Sequence, residues 1–124
     1  MRIITTAALV AAGIFVAAGT AHAADPYGTW TRPSTGAKLE FYDCGGKLCA
    51  KVASVVDKAK QGDVGKVIMT GAAKSGDNTW KGDLLNLEDG KTYSGVVTLE
   101  GPKALNLKGC ALAGLICKGE TWTK

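Results

Sequence analysis

The chain has 124 residues with 15 Lys+Arg, 11 Asp+Glu, 17 Gly, 4 Cys and one His, a length that suits one domain. The single histidine, His22, lies in an N-terminal stretch that reads as a removable export signal. Imidazole chemistry, including Ser-His-Asp and Cys-His catalysis and His-ligated zinc, is then excluded. The basic excess is modest and almost entirely lysine, with Arg32 the only arginine beyond the signal. Lysines alternate with acids, as in Glu40, Asp43, Lys47 and Lys51 or Glu88, Asp89 and Lys91. That pattern describes solvated strand faces rather than a nucleic-acid or anionic-membrane surface.

The signal runs from Met1 to Ala23: a basic Arg2, an apolar stretch from Ala7 to Ala18, and the small-residue site Ala21-His22-Ala23, with cleavage expected after Ala23. A retained membrane anchor is disfavoured because the uncharged run is short and broken by Gly13 and Gly19. No cysteine flanks the cleavage site, which argues against lipid modification. Residues 24–124 are expected to form a single monomeric domain, periplasmic or secreted, with no membrane insertion after cleavage and no cofactor.

No segment of residues 24–124 sustains a helical period, and most alternate between turn signals, so the chain reads as all-β. Strands are predicted near Gly28 to Arg32, Ala37 to Cys44, Lys47 to Val55, Lys66 to Thr70, Thr79 to Leu85, Lys91 to Leu99, Lys103 to Cys110 and Cys117 to Thr123. Turns fall at Pro33 to Gly36, Gly46-Lys47, Ser75 to Asn78, Glu88 to Lys91 and Gly101-Pro102. Val56 to Gly65 is a loose connection with room for a short helical turn.

The cysteines Cys44, Cys49, Cys110 and Cys117 form an even set in an exported chain, which points to two disulfides. The pairs are separated by four and six residues, not the two of common zinc or redox motifs. A type II′ turn at Gly46-Lys47 sets Cys44 opposite Cys49, Tyr42 opposite Lys51 and Phe41 opposite Val52. Leu39, Phe41, Leu48, Ala50 and Val52 then share one face, and the disulfide lies on the other with Glu40 and Lys51. Cys110 and Cys117 bridge a second hairpin across Ala111 to Ile116. Local loops of this size stabilise by about 2.2 and 2.5 kcal/mol against about 4.4 for a Cys44–Cys117 link. Geometry rather than that benefit favours the local pairs.

Eight short strands in near-meander order hide their edges by closing into a small antiparallel barrel; an open β-sandwich is the alternative. The similar strands around Trp30 and Trp122 are candidates to pair as first and last. Glycines in phase with large inward residues, Gly28 with Trp30, Gly82 with Trp80 and Leu84, and Gly95 with Tyr93 and Val97, suit strongly bent strands.

Several spaced motifs resemble the bacterial domain of unknown function 2147 across the chain from Gly28 onward. They are Gly28-Thr-Trp30-Thr-Arg32-Pro33, Asp43-Cys44-Gly45 with Leu48-Cys49, Trp80-x-Gly82, Glu88-Asp89-Gly90-Lys91-Thr92-Tyr93-Ser94-Gly95, and Gly109-Cys110 with Cys117 and Thr121-Trp122-Thr123. Leu87 and Ala50 depart from the proline and glycine which that family favours. The resemblance implies an exported, lipocalin-like (calycin) barrel without assigned activity. Gly28-x-Trp30 also looks like the opening strand of lipocalins, which implies a Trp plugging one barrel end beneath a basic residue, Lys124 or Lys118.

The function expected is non-catalytic binding of a small apolar or amphipathic molecule at the barrel mouth, with Trp30, Arg32, Trp80, Tyr93 and the Val56 to Gly65 loop as candidate contacts. An eight-stranded interior is about wide enough to be filled by its own side chains. The alternative is therefore a filled core in a structural or envelope-protein-binding role, with Tyr42 and Lys51 as candidate surface contacts. A carboxylate hydrolase using Asp83, Glu88 and Asp89 is a weaker third reading. Asp77, Asn78 and Glu88 lack the spacing of a calcium loop, so no metal is expected.

Overall fold

The structure is a computed structural model and describes residues 25–124; the export signal and its cleavage site lie outside the described residues. The strands are β1 (Gly28–Thr31), β2 (Lys38–Asp43), β3 (Leu48–Ser54), β4 (Val67–Gly76), β5 (Thr79–Asn86), β6 (Lys91–Gly101), β7 (Ala104–Ala111) and β8 (Ile116–Thr123). All neighbours pair antiparallel, and the order β1 to β8 closes on itself as a barrel. Closure replaces the sandwich alternative. A 3-10 turn at Lys58–Asp63, capped by the Asp57 carboxylate accepting from the Ala59 N–H at 2.9 Å, occupies the loose connection after β3.

Alternation builds the wall. On β6, Tyr93, Gly95, Val97 and Leu99 alternate with Thr92, Ser94, Val96 and Thr98, and the first set faces the lumen, where Val97 and Leu99 are buried. The β2–β3 register differs from the expected one by two residues: Phe41 pairs with Ala50, Tyr42 with Cys49 and Asp43 with Leu48. The turn is Gly45-Gly46, both at positive φ (73° and 86°), closed by the Cys44 N–H donating to the Lys47 carbonyl at 2.9 Å. Two adjacent glycines suit a type I′ turn, whose hand matches strand twist, better than the expected Gly46-Lys47 turn. A shift of two keeps side-chain parity, so the inward set Leu39, Phe41, Leu48, Ala50 and Val52 is unchanged and all five are buried. The Cys44–Cys49 disulfide forms diagonally across the hairpin, with Cα atoms 5.9 Å apart. Tyr42 and Lys51 are diagonal rather than opposite, the Lys51 Nζ lying 5.3 Å from the Tyr42 ring centroid. Cys110 and Cys117 sit directly opposite and are bridged.

β4 is longer than expected because Gly71 is not a stop. The register with β3 skips Gly71 and again Ile68, so β4 carries two bulges. The second explains how Ile68 and Met69, adjacent in sequence, are both buried. Closure of β1 on β8 is slight, with Thr31 opposite Thr123 as the paired position.

The two barrel ends differ. At one, Trp30 and Phe41 are fully buried and Phe41 meets Trp122 edge to face at 6.0 Å. The Trp30 indole donates to the Pro26 carbonyl at 2.8 Å. Lys124 lies 5.2 Å from the Trp30 ring centroid and donates to the Tyr27 carbonyl at 2.7 Å. Lys124, not Lys118, therefore covers the tryptophan; a Cβ at Gly28 would lie 2.8 Å from Lys124 Cε, so glycine leaves the lysine its place.

Candidate binding site

The opposite end is open. A pocket of about 1050 Å³ enters between the β1–β2, β3–β4, β5–β6 and β7–β8 loops. Leu39, Val52, Ile68, Leu107 and Trp122, each less than a tenth exposed, form its floor, and Leu84 and Tyr93 line the wall above. Gly82, Gly95 and Gly109 are paired across β5, β6 and β7, and the first two let neighbouring side chains pack close beneath the pocket. An added Cβ at Gly82 would lie 2.7 Å from Ala72 Cα, and one at Gly95 would lie 2.8 Å from Leu84 Cβ. Gly109 lines the pocket, and a Cβ there would make ordinary contact with Leu84 Cδ2 at 3.6 Å and Tyr93 Cβ at 3.7 Å.

Strand β8 supplies one wall through Ile116, Lys118, Glu120 and Trp122, alternate residues that face inward. A single oxygen of Glu120, Oε1, accepts from Arg32 Nε at 3.0 Å, Ser34 Oγ at 3.2 Å and Trp122 Nε1 at 2.9 Å. These contacts bridge β8 to the chain just beyond β1, where backbone pairing is absent. On the rim, the Tyr93 hydroxyl donates to the Asp89 carboxylate, which also accepts from the Lys91 N–H at 2.8 Å. Those hydrogen bonds, the tyrosine's first, hold the Asp89 carboxyl below its usual value, and the same contact raises the Tyr93 hydroxyl.

The four candidate contact residues divide. Arg32 and Tyr93 line the pocket, as do Val56, Asp57, Lys60 and Asp63 of the β3–β4 connection. Trp30 and Trp80 do not: both point inward but belong to the packed core at the closed end. Lys118, Glu120, Ile68 and Leu107 were absent from the sequence-derived contacts. Period-two counting back from an inward Trp122 places Lys118 and Glu120 on the inner face, which was the available signal. Asp83 is exposed on the outer side of β5, whereas Glu88 and Asp89 stand on the mouth turn, so the structure does not bring the three acids together. Among the described residues, no three His, Cys, Asp or Glu side chains converge as metal ligands.

Residues 28–124 match the family described as "Uncharacterized protein conserved in bacteria (DUF2147)". Among solved structures, the chain is similar to protein HP1028 from the human pathogen Helicobacter pylori, which belongs to the lipocalin family. The TM-score is 0.70 at 24% identity, covering 82% of this chain and 84% of that one. Among curated proteins, none matches.

Proposed function

Since the chain belongs to the DUF2147 family and has a lipocalin-like barrel, we propose that it is an exported, non-catalytic binding protein that holds a small amphipathic molecule in the open mouth. The carrying observation is the asymmetry of the ends: one is sealed by Trp30 and Lys124, while the other opens on a pocket of about 1050 Å³ with an apolar floor and a charged rim. A floor of Leu39, Val52, Ile68, Leu107 and Trp122 suits an apolar tail, and charged groups at the rim suit a polar end left near water. Export agrees with the two disulfides.

Titration with 1-aminoanthracene, an uncharged apolar fluorophore, tests this reading. Saturable fluorescence enhancement is expected, and Gly109→Phe should abolish it while the barrel stays folded, because its ring projects into the pocket from a position without positive φ. Enhancement that is absent, or that survives Gly109→Phe, contradicts the reading. A second reading, docking of an envelope protein, draws on the exposed tip of the β7–β8 hairpin, where Leu112, Leu115 and Ile116 are 65%, 84% and 53% exposed. Loss of a co-purifying protein partner on Leu115→Ser, with fluorophore binding unchanged, would favour it.

A further inference from the structure

We propose that the occupant of the mouth is a single-chain amphiphile with an anionic head, and that the ammonium of Lys118 receives that head. This rests on the mouth being a binding site. Lys118 faces inward on β8 opposite Gly109, in the row that continues through Gly95 to Gly82. Gly109, directly opposite, carries no side chain and also lines the pocket, so the nearest cross-strand neighbour leaves the lysine space, while Leu84 packs against Gly95 and Ala72 against Gly82.

The charges of the strand walls then reduce to one. Glu120, one inward step deeper, is committed through Oε1 to Arg32, Ser34 and Trp122, so the carboxylate and guanidinium offset each other. Lys118 has no ion pair and no side-chain hydrogen bond among the described residues. Arg32 is held through Nε, and its terminal amino groups likewise make no hydrogen bond among the described residues.

The acids that also border the pocket sit on the β3–β4 and β5–β6 loops rather than in the β8 wall. Asp63 is paired with Lys66 at 3.2 Å, Asp57 caps the 3-10 turn, and Asp89 takes the Tyr93 hydroxyl; Glu88 and Lys60 complete the rim. A cation set beside a floor of Leu107 and Trp122 matches a ligand whose negative head and apolar tail adjoin. Low-dielectric walls strengthen that attraction relative to open water.

Displacement of 1-aminoanthracene by decanoate, decanol and decyltrimethylammonium separates the head from the tail. Decanoate should bind about fivefold more tightly than decanol at low salt, as befits a partly exposed ion pair, and the advantage should fade as salt is added. Lys118→Gln should reduce decanoate to the affinity of decanol without changing decanol, and Lys118→Arg should retain the preference. Equal affinity for decanoate and decanol, a preference for the quaternary ammonium, or a carboxylate preference that survives Lys118→Gln overturns the assignment while leaving the pocket reading standing. Failure of all three to displace the probe removes both.

Discussion

Glu120 gathers three donors on one oxygen at the seam between β8 and the chain leaving β1, and those donors are unequal. Arg32 and Ser34 reach solvent, but the Trp122 indole belongs to a residue only 3% exposed. Removing the acceptor therefore strands a buried N–H, while removing Arg32 leaves the carboxylate with two partners. Glu120→Ala should cost about 1–2 kcal/mol, and Arg32→Ala about 0.5 kcal/mol because that pair is screened by solvent; urea unfolding of both variants checks the order. The Asp89–Tyr93 contact has a defined pH window. The Asp89 carboxyl is lowered in the folded chain, so its contribution exists above the ordinary carboxylate value of 3.8 and is lost as pH falls through the folded value. The Tyr93 hydroxyl is raised, so its contribution exists below the ordinary 10.0 and is lost as pH rises through the folded value. Tyr93→Phe should move the Asp89 titration, followed by carboxyl NMR, upward toward 3.8, and any stability difference from wild type should be largest between these limits.

The hairpins show which local features sequence makes legible. Disulfide pairing in β2–β3 was readable because only a tight turn brings Cys44 and Cys49 together, yet the turn itself was misplaced by one residue. Gly46-Lys47 satisfies a type II′ turn, and Gly45-Gly46 satisfies a type I′ turn; nothing in a pair of glycines selects between them until both flanking strands are placed. Gly46→Ala should cost about 1 kcal/mol, from an L residue at φ 86° with open space around it. The β7–β8 loop predicts the reverse sign. Ala113 is an exposed L residue at φ 57°, so Ala113→Gly should stabilise by about 0.5–1 kcal/mol in thermal unfolding. In β4 the glycine of Gly71-Ala72-Ala73 reads as the end of a strand, because weak strand formers and a bulge share one signature. Only pairing with β3 and β5 tells them apart.

A closed barrel with its first and last strands adjacent was legible from eight alternating segments and from the matching strands around Trp30 and Trp122. The site was half legible, for a physical reason. Inward aromatics are the strongest sequence signal for an interior, but alternation assigns a face and not a height along the barrel axis. Trp30, Trp80 and Trp122 all point inward; the first two belong to the packed end and only Trp122 forms the pocket floor. Height is set by strand stagger, which requires the complete register. The chain has 3 Trp residues, so three indole N–H resonances report on both ends of the barrel in one spectrum. Titrating the protein with decanol while following those signals should shift the Trp122 resonance saturably and leave those of Trp30 and Trp80 in place. Saturable shifts at Trp30 or Trp80, or no shift at Trp122, would contradict a mouth that binds amphiphiles above a sealed base.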